Sequence, residues 1–240
     1  MLLLSISTST ATASVAIGRD GSTLARAALG VPTSHDEFLT PAIEFCARQA
    51  GIGMSQLSGV VVDHGPGLFT GLRVGISTAK AIAVTLGVPM LGISSLDLLA
   101  LNARHTRREI CATLDARRGE IYSAFYRPVH GGVVCTSEFM LLSPDALADE
   151  LVARSEDVLV VGDGALLHAD AFSHVSGIAI AEDFLAHPSA ETAFGIGCDH
   201  FEKEEFIAPH EIEPVYLRKS DAELNWESQR EAREAKVQRI

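Results

Sequence analysis

Short apolar runs and longer helical patterns alternate along the first hundred residues. Apolar residues predict strands at 2–7, 14–19 and 23–28, and the Asp20-Gly21 pair favours a hairpin turn before the third strand. The chain therefore opens with a three-stranded antiparallel meander. The elements predicted next are a helix capped by Ser34 or Asp36 and ending near Ala50, a strand at 59–64, a helix at 70–86, a strand near 90–91 and a helix at about 95–103.

The second half repeats this order in outline. A charged stretch at 104–109 precedes paired strands at 110–114 and 121–126, a third strand at 133–141, a helix at 144–153, a buried strand at 158–161 and a helix at 189–202. Two halves of similar element order predict a duplicated α/β protein. We place its lobes at residues 1–104 and 105–220, followed by a charged helical or disordered tail at 221–240.

A glycine-rich run at 65–73 joins a predicted buried strand to a predicted helix. It fits neither the phosphate-binding P-loop, because no lysine follows its second glycine, nor the dinucleotide fingerprint, because its third glycine comes one residue late. An ordinary strand–helix connection is one explanation of the run. Within the helix, small residues recur every four positions and form a bare stripe on one face, where another helix backbone can approach: Gly71, Gly75, Ala79 and Ala83.

Composition and charge limit the function. A net charge of −12 argues against independent binding to nucleic acid, which requires a basic surface. The four cysteines are widely spaced and form no C-x-x-C pair, as expected for reduced thiols in a cytoplasmic protein. No run of 18 apolar residues is present, so we expect no membrane helix and no membrane partner.

Motifs for catalysis are poorly matched. No two histidines are spaced by four residues, so we predict no metal site, and no G-x-S-x-G elbow is present. Ser77 and Lys80 match S-x-x-K on the predicted helix, but no accompanying motif follows them. Chance explains this match better than a catalytic dyad does.

The first strand and its turn, residues 4–10, resemble the first phosphate loop of the actin-like ATPase and sugar-kinase fold. That loop normally begins with an aspartate that holds the water shell of a metal. Ser7 stands in its place, and a hydroxyl does not supply the charge that Mg²⁺ requires. We therefore expect the fold without its ATPase chemistry. The candidates for a residual nucleotide site are Ser7, Thr8, Ser9, Asp115 and Asp163.

Over about residues 1–220 the chain resembles the TsaB (YeaZ) family. The blocks at 65–80 and 115–122 are specific, and weaker matches lie at 3–10, 34–35, 92–96, 162–164 and 214–218. Two departures are Ser7, where family members commonly carry Asp, and Leu68, where they commonly carry Ser. Leu68 adds apolar area to the loop.

This resemblance implies an actin-like ATPase (ASKHA) fold of two lobes, each with a mixed sheet flanked by helices. It also implies a non-catalytic scaffold for threonylcarbamoylation of adenosine 37 in tRNAs that read codons beginning with A. The implied partners are a TsaD-like catalytic subunit and a TsaE-like ATPase, with a homodimer when the chain is alone. The tRNA is contacted only through the complex. No cofactor is expected, apart from a candidate nucleotide at the heterodimer seam.

The resemblance implies that the helices following residues 34–35 and 65–73 are the pairing helices, and the scaffold hypothesis predicts an exposed apolar patch on them. The patch is predicted around Leu68, Phe69, Leu72, Ile76 and Ala79. The predicted interface residues are Phe38, Leu68, Phe69, Gly71, Leu72, Gly75, Ile76, Ala79 and Ala83. Two enzyme hypotheses stay open as alternatives: a protease-like hydrolase that uses Ser77 and Lys80, and an ATP-binding kinase-like protein of the same fold.

Overall fold

The computed structural model describes residues 1–30, 35–154 and 156–218, and its first sheet is centred on a strand that is buried along its whole length. The strands of this sheet are β1 (Leu2–Ser7), β2 (Ala13–Arg19), β3 (Ser22–Leu29), β4 (Gly59–Gly65) and β5 (Met90–Ser94), in the spatial order β3-β2-β1-β4-β5. β1 to β3 form the predicted antiparallel meander, and β4 and β5 add in parallel. Both faces of β1 are buried, so this strand needs helices on both sides of the sheet.

The second sheet also mixes antiparallel and parallel pairing. Its strands are β6 (Glu109–Asp115), β7 (Ile121–Val129), β8 (Gly132–Cys135), β9 (Met140–Leu142), β10 (Val158–Val161) and β11 (Ile178–Ile180). β11, β10, β6, β7 and β8 follow one another in space, and β9 pairs with β7. The predicted single strand at 133–141 is therefore wrong, because residues 136–139 leave the sheet between β8 and β9. β11 was not predicted, since its three residues are too few for a clear period.

Six α-helices occupy the described ranges. They are α1 (His35–Gln49), α2 (Phe69–Leu86), α3 (Ser95–Asn102), α4 (Pro144–Val152), α5 (Asp163–Leu167) and α6 (Ala190–Glu202). α2 ends at Gly87, which adopts the left-handed conformation that glycine tolerates best. Ser94 caps α3 by accepting hydrogen bonds from the amides of residues 96 and 97. The short helix α5 was not predicted.

The predicted lobe boundaries require correction because two helices cross between the sheets. α6 follows the second sheet in sequence but packs on the first sheet, where Phe194 and Phe201 join a core that includes Leu3. Close approach is allowed by Gly18, where a Cβ atom would lie 2.2 Å from the Phe194 ring. α3 precedes the second sheet, yet its Leu96 belongs to the core of that sheet. Neither lobe is therefore one continuous segment of the chain.

Two predicted features lie outside the described residues: the tail at 221–240 and the cap at Ser34. Among the described helices, none is long and apolar enough to cross a membrane.

Candidate functional site

The small-residue stripe of α2 faces the interior of the chain. Gly71, Gly75, Ala79 and Ala83 are all buried. A Cβ atom at Gly71 would lie 2.1 Å from the carbonyl oxygen of Thr8, and one at Gly75 would lie 2.2 Å from Thr8 Oγ1. The stripe therefore receives the loop that follows β1, and the prediction that it forms an exposed surface is wrong.

The larger members of the predicted patch are also drawn inward. Leu72 and Ile76 are buried in the core of the first sheet. Phe38, Leu68 and Phe69 are half-buried. An exposed patch centred on these side chains is therefore contradicted for Leu72 and Ile76, because the helical period of α2 turns them toward the sheet. The half-buried members keep part of their surface on the outside of the first lobe.

The loop after β1 is fixed to α2 by hydrogen bonds as well as by packing. The Thr8 hydroxyl donates to the carbonyl oxygen of Gly71 over 2.8 Å. The amide of Leu68 donates to the carbonyl oxygen of Ser9 over 2.7 Å. His35 Nε2 lies 2.8 Å from the carbonyl oxygen of Thr10, which joins the start of α1 to the same loop. Both pairing helices of the prediction are thus held on the Thr8–Thr10 loop.

A buried carboxylate lies beneath this loop. Asp63 is fully buried at the end of β4, and its Oδ2 accepts hydrogen bonds from the hydroxyls of Ser7 (2.7 Å) and Ser9 (2.5 Å). Its Oδ1 accepts from the Ser95 hydroxyl and from the amide of Gly65 (3.1 Å). Burial raises the pKa of Asp63, whereas these four donors act to lower it. The four donors provide the pairing that a buried polar group requires.

Asp63 was missed in the sequence analysis. The aspartate normally found at the position of Ser7 is absent, but β1 and β4 are parallel neighbours and place an acid directly beside Ser7. The available signal was an acidic residue immediately after Val60-Val61-Val62, the most apolar part of a strand. Only the pairing of β1 with β4 shows that this acid and Ser7 belong together.

The geometry argues against the first three candidates for a nucleotide site. Ser7, Thr8 and Ser9 are buried, and each hydroxyl donates to an oxygen of the chain itself. A phosphate group at this position would also face the Asp63 carboxylate, and two negative groups in a buried site repel each other strongly.

The other two candidates, Asp115 and Asp163, lie side by side in the second lobe. Asp163 Oδ1 accepts from the amide of Asp115 over 2.9 Å, and Arg117 forms an ion pair with Asp115 at 3.2 Å. Burial raises the pKa of Asp163, and the negative charge of Asp115 raises it further. The hydrogen bond from the Asp115 amide and the charge of His187 act to lower this pKa. Asp115 and Asp163 therefore lie together in the second lobe. The acid that pairs with Ser7 and Ser9 is Asp63 in the first lobe.

Ser77 and Lys80, which match the S-x-x-K motif, do not form a hydrogen-bonded dyad among the described contacts. Ser77 is exposed on the outer side of α2, and no hydrogen bond joins its hydroxyl to Lys80. The described residues contain no cluster of three or more His, Cys, Asp or Glu side chains placed to hold a metal ion.

The segment at 214–218 connects the two lobes at the start of α2. The Tyr216 ring lies 5.2 Å from that of Phe69, and its hydroxyl accepts from Arg73 Nε over 3.2 Å. Two residues later, Arg218 donates to Glu120 (2.7 Å) and to the carbonyl oxygen of Ala116 (2.9 Å) in the second lobe. The weakly matching block at 214–218 is thus a strap between the lobes.

We predict that Gly71→Ala destabilises the fold, since the added methyl group would meet the Thr8 carbonyl and the His35 ring. Overpacking of this kind costs about 1–3 kcal/mol. Gly195→Ala is the matched control, because Gly195 is an exposed glycine of α6 with open space at its Cβ, and helix propensity alone should stabilise that variant by up to about 1 kcal/mol. Urea unfolding of both variants measures the difference. Equal stability of the two variants would contradict the inward orientation of the stripe.

The raised pKa of Asp63 predicts a pH-dependent stability. Since burial raises the folded-state pKa above the unfolded value, the native state binds more protons in the interval between them, and stability falls as pH rises through it. Asp63→Asn lacks this contribution, so its stability relative to wild type should increase as pH rises from about 4. Urea midpoints measured between about pH 4 and 8 test this prediction. Asp145→Asn, an exposed acid of α4, is the control, and a stability difference that does not change with pH would refute the assignment.

Comparisons with known proteins agree with this architecture. A family model described as "TsaD: tRNA N6-adenosine threonylcarbamoyltransferase" matches residues 31–226. The tRNA threonylcarbamoyladenosine biosynthesis protein TsaB of Escherichia coli (strain K12) is 30% identical, covering 92% of this chain and 96% of that protein. The TsaB of Bacillus subtilis (strain 168) is 32% identical, covering 96% and 100%.

A solved structure supports the same fold. YeaZ from Pseudomonas aeruginosa is similar with a TM-score of 0.78 at 25% identity, covering 90% of this chain and 99% of that chain. The predicted fold of two lobes, each with a mixed sheet flanked by helices, is confirmed, and it is the fold of YeaZ.

Proposed function

The chain belongs to the TsaB (YeaZ) family, and from that premise we propose that it is a non-catalytic scaffold that binds a TsaD-like catalytic subunit. The relatives are named for tRNA threonylcarbamoyladenosine biosynthesis, and this chain acts in the same process. The proposed step is threonylcarbamoylation of adenosine 37 in tRNAs that read codons beginning with A.

The observation that carries the proposal is the outer face of α2. This face, defined by Thr70, Arg73, Ser77, Ala81 and Val84, follows helical spacing on the side opposite the buried stripe. Val84 is 68% exposed, and α2 contains no acidic residue in a chain with 31 of them. Small, mostly uncharged side chains let a second helix approach closely, and protein interfaces are depleted of charge at their centre.

The neighbouring helix α1 extends this surface. α1 packs beside α2, and its Phe45 is 42% exposed. The loop after β1 forms hydrogen bonds with both the start of α1 and the inner face of α2, which fixes the two helices relative to each other. We propose this surface as the seam for the TsaD-like subunit and for a homodimer when the chain is alone.

A scaffold role is also consistent with the chemistry of the interior. The hydroxyls of Ser7, Thr8 and Ser9 are occupied within the chain, which disfavours phosphate binding by this loop. The net charge of −12 disfavours direct tRNA binding, so we propose that tRNA and a TsaE-like ATPase meet this chain within the assembly. A nucleotide at the heterodimer seam would need residues from the partner.

The proposal predicts that this chain exchanges a second copy of itself for the TsaD-like protein in solution. The chain alone should have the mass of a homodimer, and addition of the TsaD-like protein of its organism should produce a heterodimer. Light scattering coupled to size-exclusion chromatography measures both masses. A chain that ignores that protein at micromolar concentrations would contradict the scaffold role.

Substitution on the outer face of α2 should abolish this association. Ala81→Arg places a long charged side chain at the centre of the proposed seam, while its exposed position leaves the monomer fold intact. We expect affinity for the TsaD-like subunit to fall by at least about a hundredfold, which corresponds to about 2.7 kcal/mol. Glu150→Arg, at an exposed position of α4 in the other lobe, is the matched control. Unchanged affinity of Ala81→Arg would remove the outer face from the interface.

The hydrolase alternative and the scaffold proposal predict different effects of Ser77→Ala on tRNA modification. Ser77→Ala removes the only hydroxyl of the proposed dyad but keeps the outer face of α2 small. Under the scaffold proposal, cells that depend on this variant retain normal levels of threonylcarbamoyladenosine in their tRNA, as measured by mass spectrometry of tRNA nucleosides. Loss of the modification with intact binding to the TsaD-like subunit would favour the enzyme hypothesis.

A further inference from the structure

A cavity of about 310 Å³ lies between the two lobes, away from the loop after β1. Its walls come from β5, α3, β7, β8 and α6, so both sheets and both crossing helices contribute. Ile93, Leu101, Val133 and Ile196 form apolar walls, and Asp97, Tyr126, Cys135 and His200 supply the polar atoms. This volume lies at the lower end of the range for ligand pockets and equals the liquid volume of about ten water molecules.

The carboxylate that lines this cavity is that of Asp97. Its Oδ1 accepts a hydrogen bond from the Tyr126 hydroxyl over 2.8 Å. Neither an ion pair nor a hydrogen bond to Oδ2 is found among the described residues. His200 does not neutralise it, because the His200 ring pairs with Glu205 at 2.8 Å. A carboxylate accepts up to about four hydrogen bonds, so Asp97 has capacity for further donors from the cavity that it lines.

The local structure satisfies only part of the Asp97 carboxylate. Asp97 lies in the first turn of α3, where acids often cap amides, but Ser94 already accepts from the amides of Leu96 and Asp97. Burial raises the pKa of Asp97, and the Tyr126 hydroxyl and the charge of His64 only partly oppose this effect. Asp97 is half-buried beside a partly open cavity, and a cation bound there would offset the cost of burying its charge.

We propose that this inter-lobe cavity binds a small organic cation, an ammonium group on a short aliphatic body, with Asp97 as its counter-ion. The ammonium donates to Asp97 Oδ2, and the aliphatic body lies against Leu101, Val133 and Ile196. The Tyr126 hydroxyl holds the carboxylate in place through Oδ1. This site is separate from the outer face of α2 and does not depend on the scaffold role.

Methyl NMR of the full chain with n-pentylammonium chloride as the probe tests the site. The methyl groups of Ile93, Leu101, Val133 and Ile196 line the cavity, so their shifts report occupancy at this position. We expect saturable shifts of these methyl groups at millimolar concentrations, and binding of 1-pentanol, the neutral analogue of the same length, weaker by about tenfold or more. Shifts confined to other methyl groups, or equal affinity for the two probes, would overturn the proposal.

Two variants separate charge from shape. Asp97→Asn keeps an acceptor for Tyr126 but removes the charge, so pentylammonium binding should fall about tenfold to the level of 1-pentanol. Asp145→Asn, which neutralises a first-turn acid of α4 at an exposed position, should leave binding unchanged. Should Asp97→Asn fail to fold, Tyr126→Phe retains the charge and is expected to keep the preference for the ammonium over the alcohol. Absence of cavity shifts in the wild-type chain up to about 20 mM probe would rule the site out.

Discussion

The rest of the structure depends on the hydrogen bonds that the buried Asp63 carboxylate accepts. This carboxylate joins three segments that are distant in sequence: the loop after β1 through Ser7 and Ser9, the end of β4 through Gly65, and the start of α3 through Ser95. A buried charge is tolerated only when hydrogen bonds replace its hydration, and four donors do so here. Because α3 also packs on the second sheet, this one group links the first lobe to the second.

The same network determines which side of α2 is available to other molecules. With Ser7 and Ser9 held by Asp63, the Thr8 backbone lies directly against Gly71, and the small residues of α2 become an internal groove. The opposite side of the helix is left to solvent. A loop that resembles a phosphate-binding element is thereby used for packing, which accords with a protein that acts through its surface.

The two lobes are connected at more than one place, and the connections differ in chemistry. α6 packs on the first sheet through aromatic side chains. The 214–218 strap instead forms hydrogen bonds, between Tyr216 and Arg73 of the first lobe and between Arg218 and Glu120 of the second. The cavity beside Asp97 lies where α3 and α6 meet both sheets. A ligand in that cavity would contact both lobes and would therefore stabilise their relative placement.

Local patterns in the sequence determined much of this protein. The apolar residues of β1 to β3, the Asp20-Gly21 pair and the blocks at 65–80 and 115–122 were sufficient for the meander, the long helix and the family. Tertiary structure alone decided the partners of each surface. Helical spacing shows that Gly71 and Gly75 share a face, but an internal loop and an external helix both fit such a face. Likewise, Asp63 and Ser7 are 56 residues apart, and only the parallel pairing of β4 with β1 places the acid beside the hydroxyl. Periodicity fixes the direction of a side chain relative to its own backbone, whereas its neighbours depend on long-range packing.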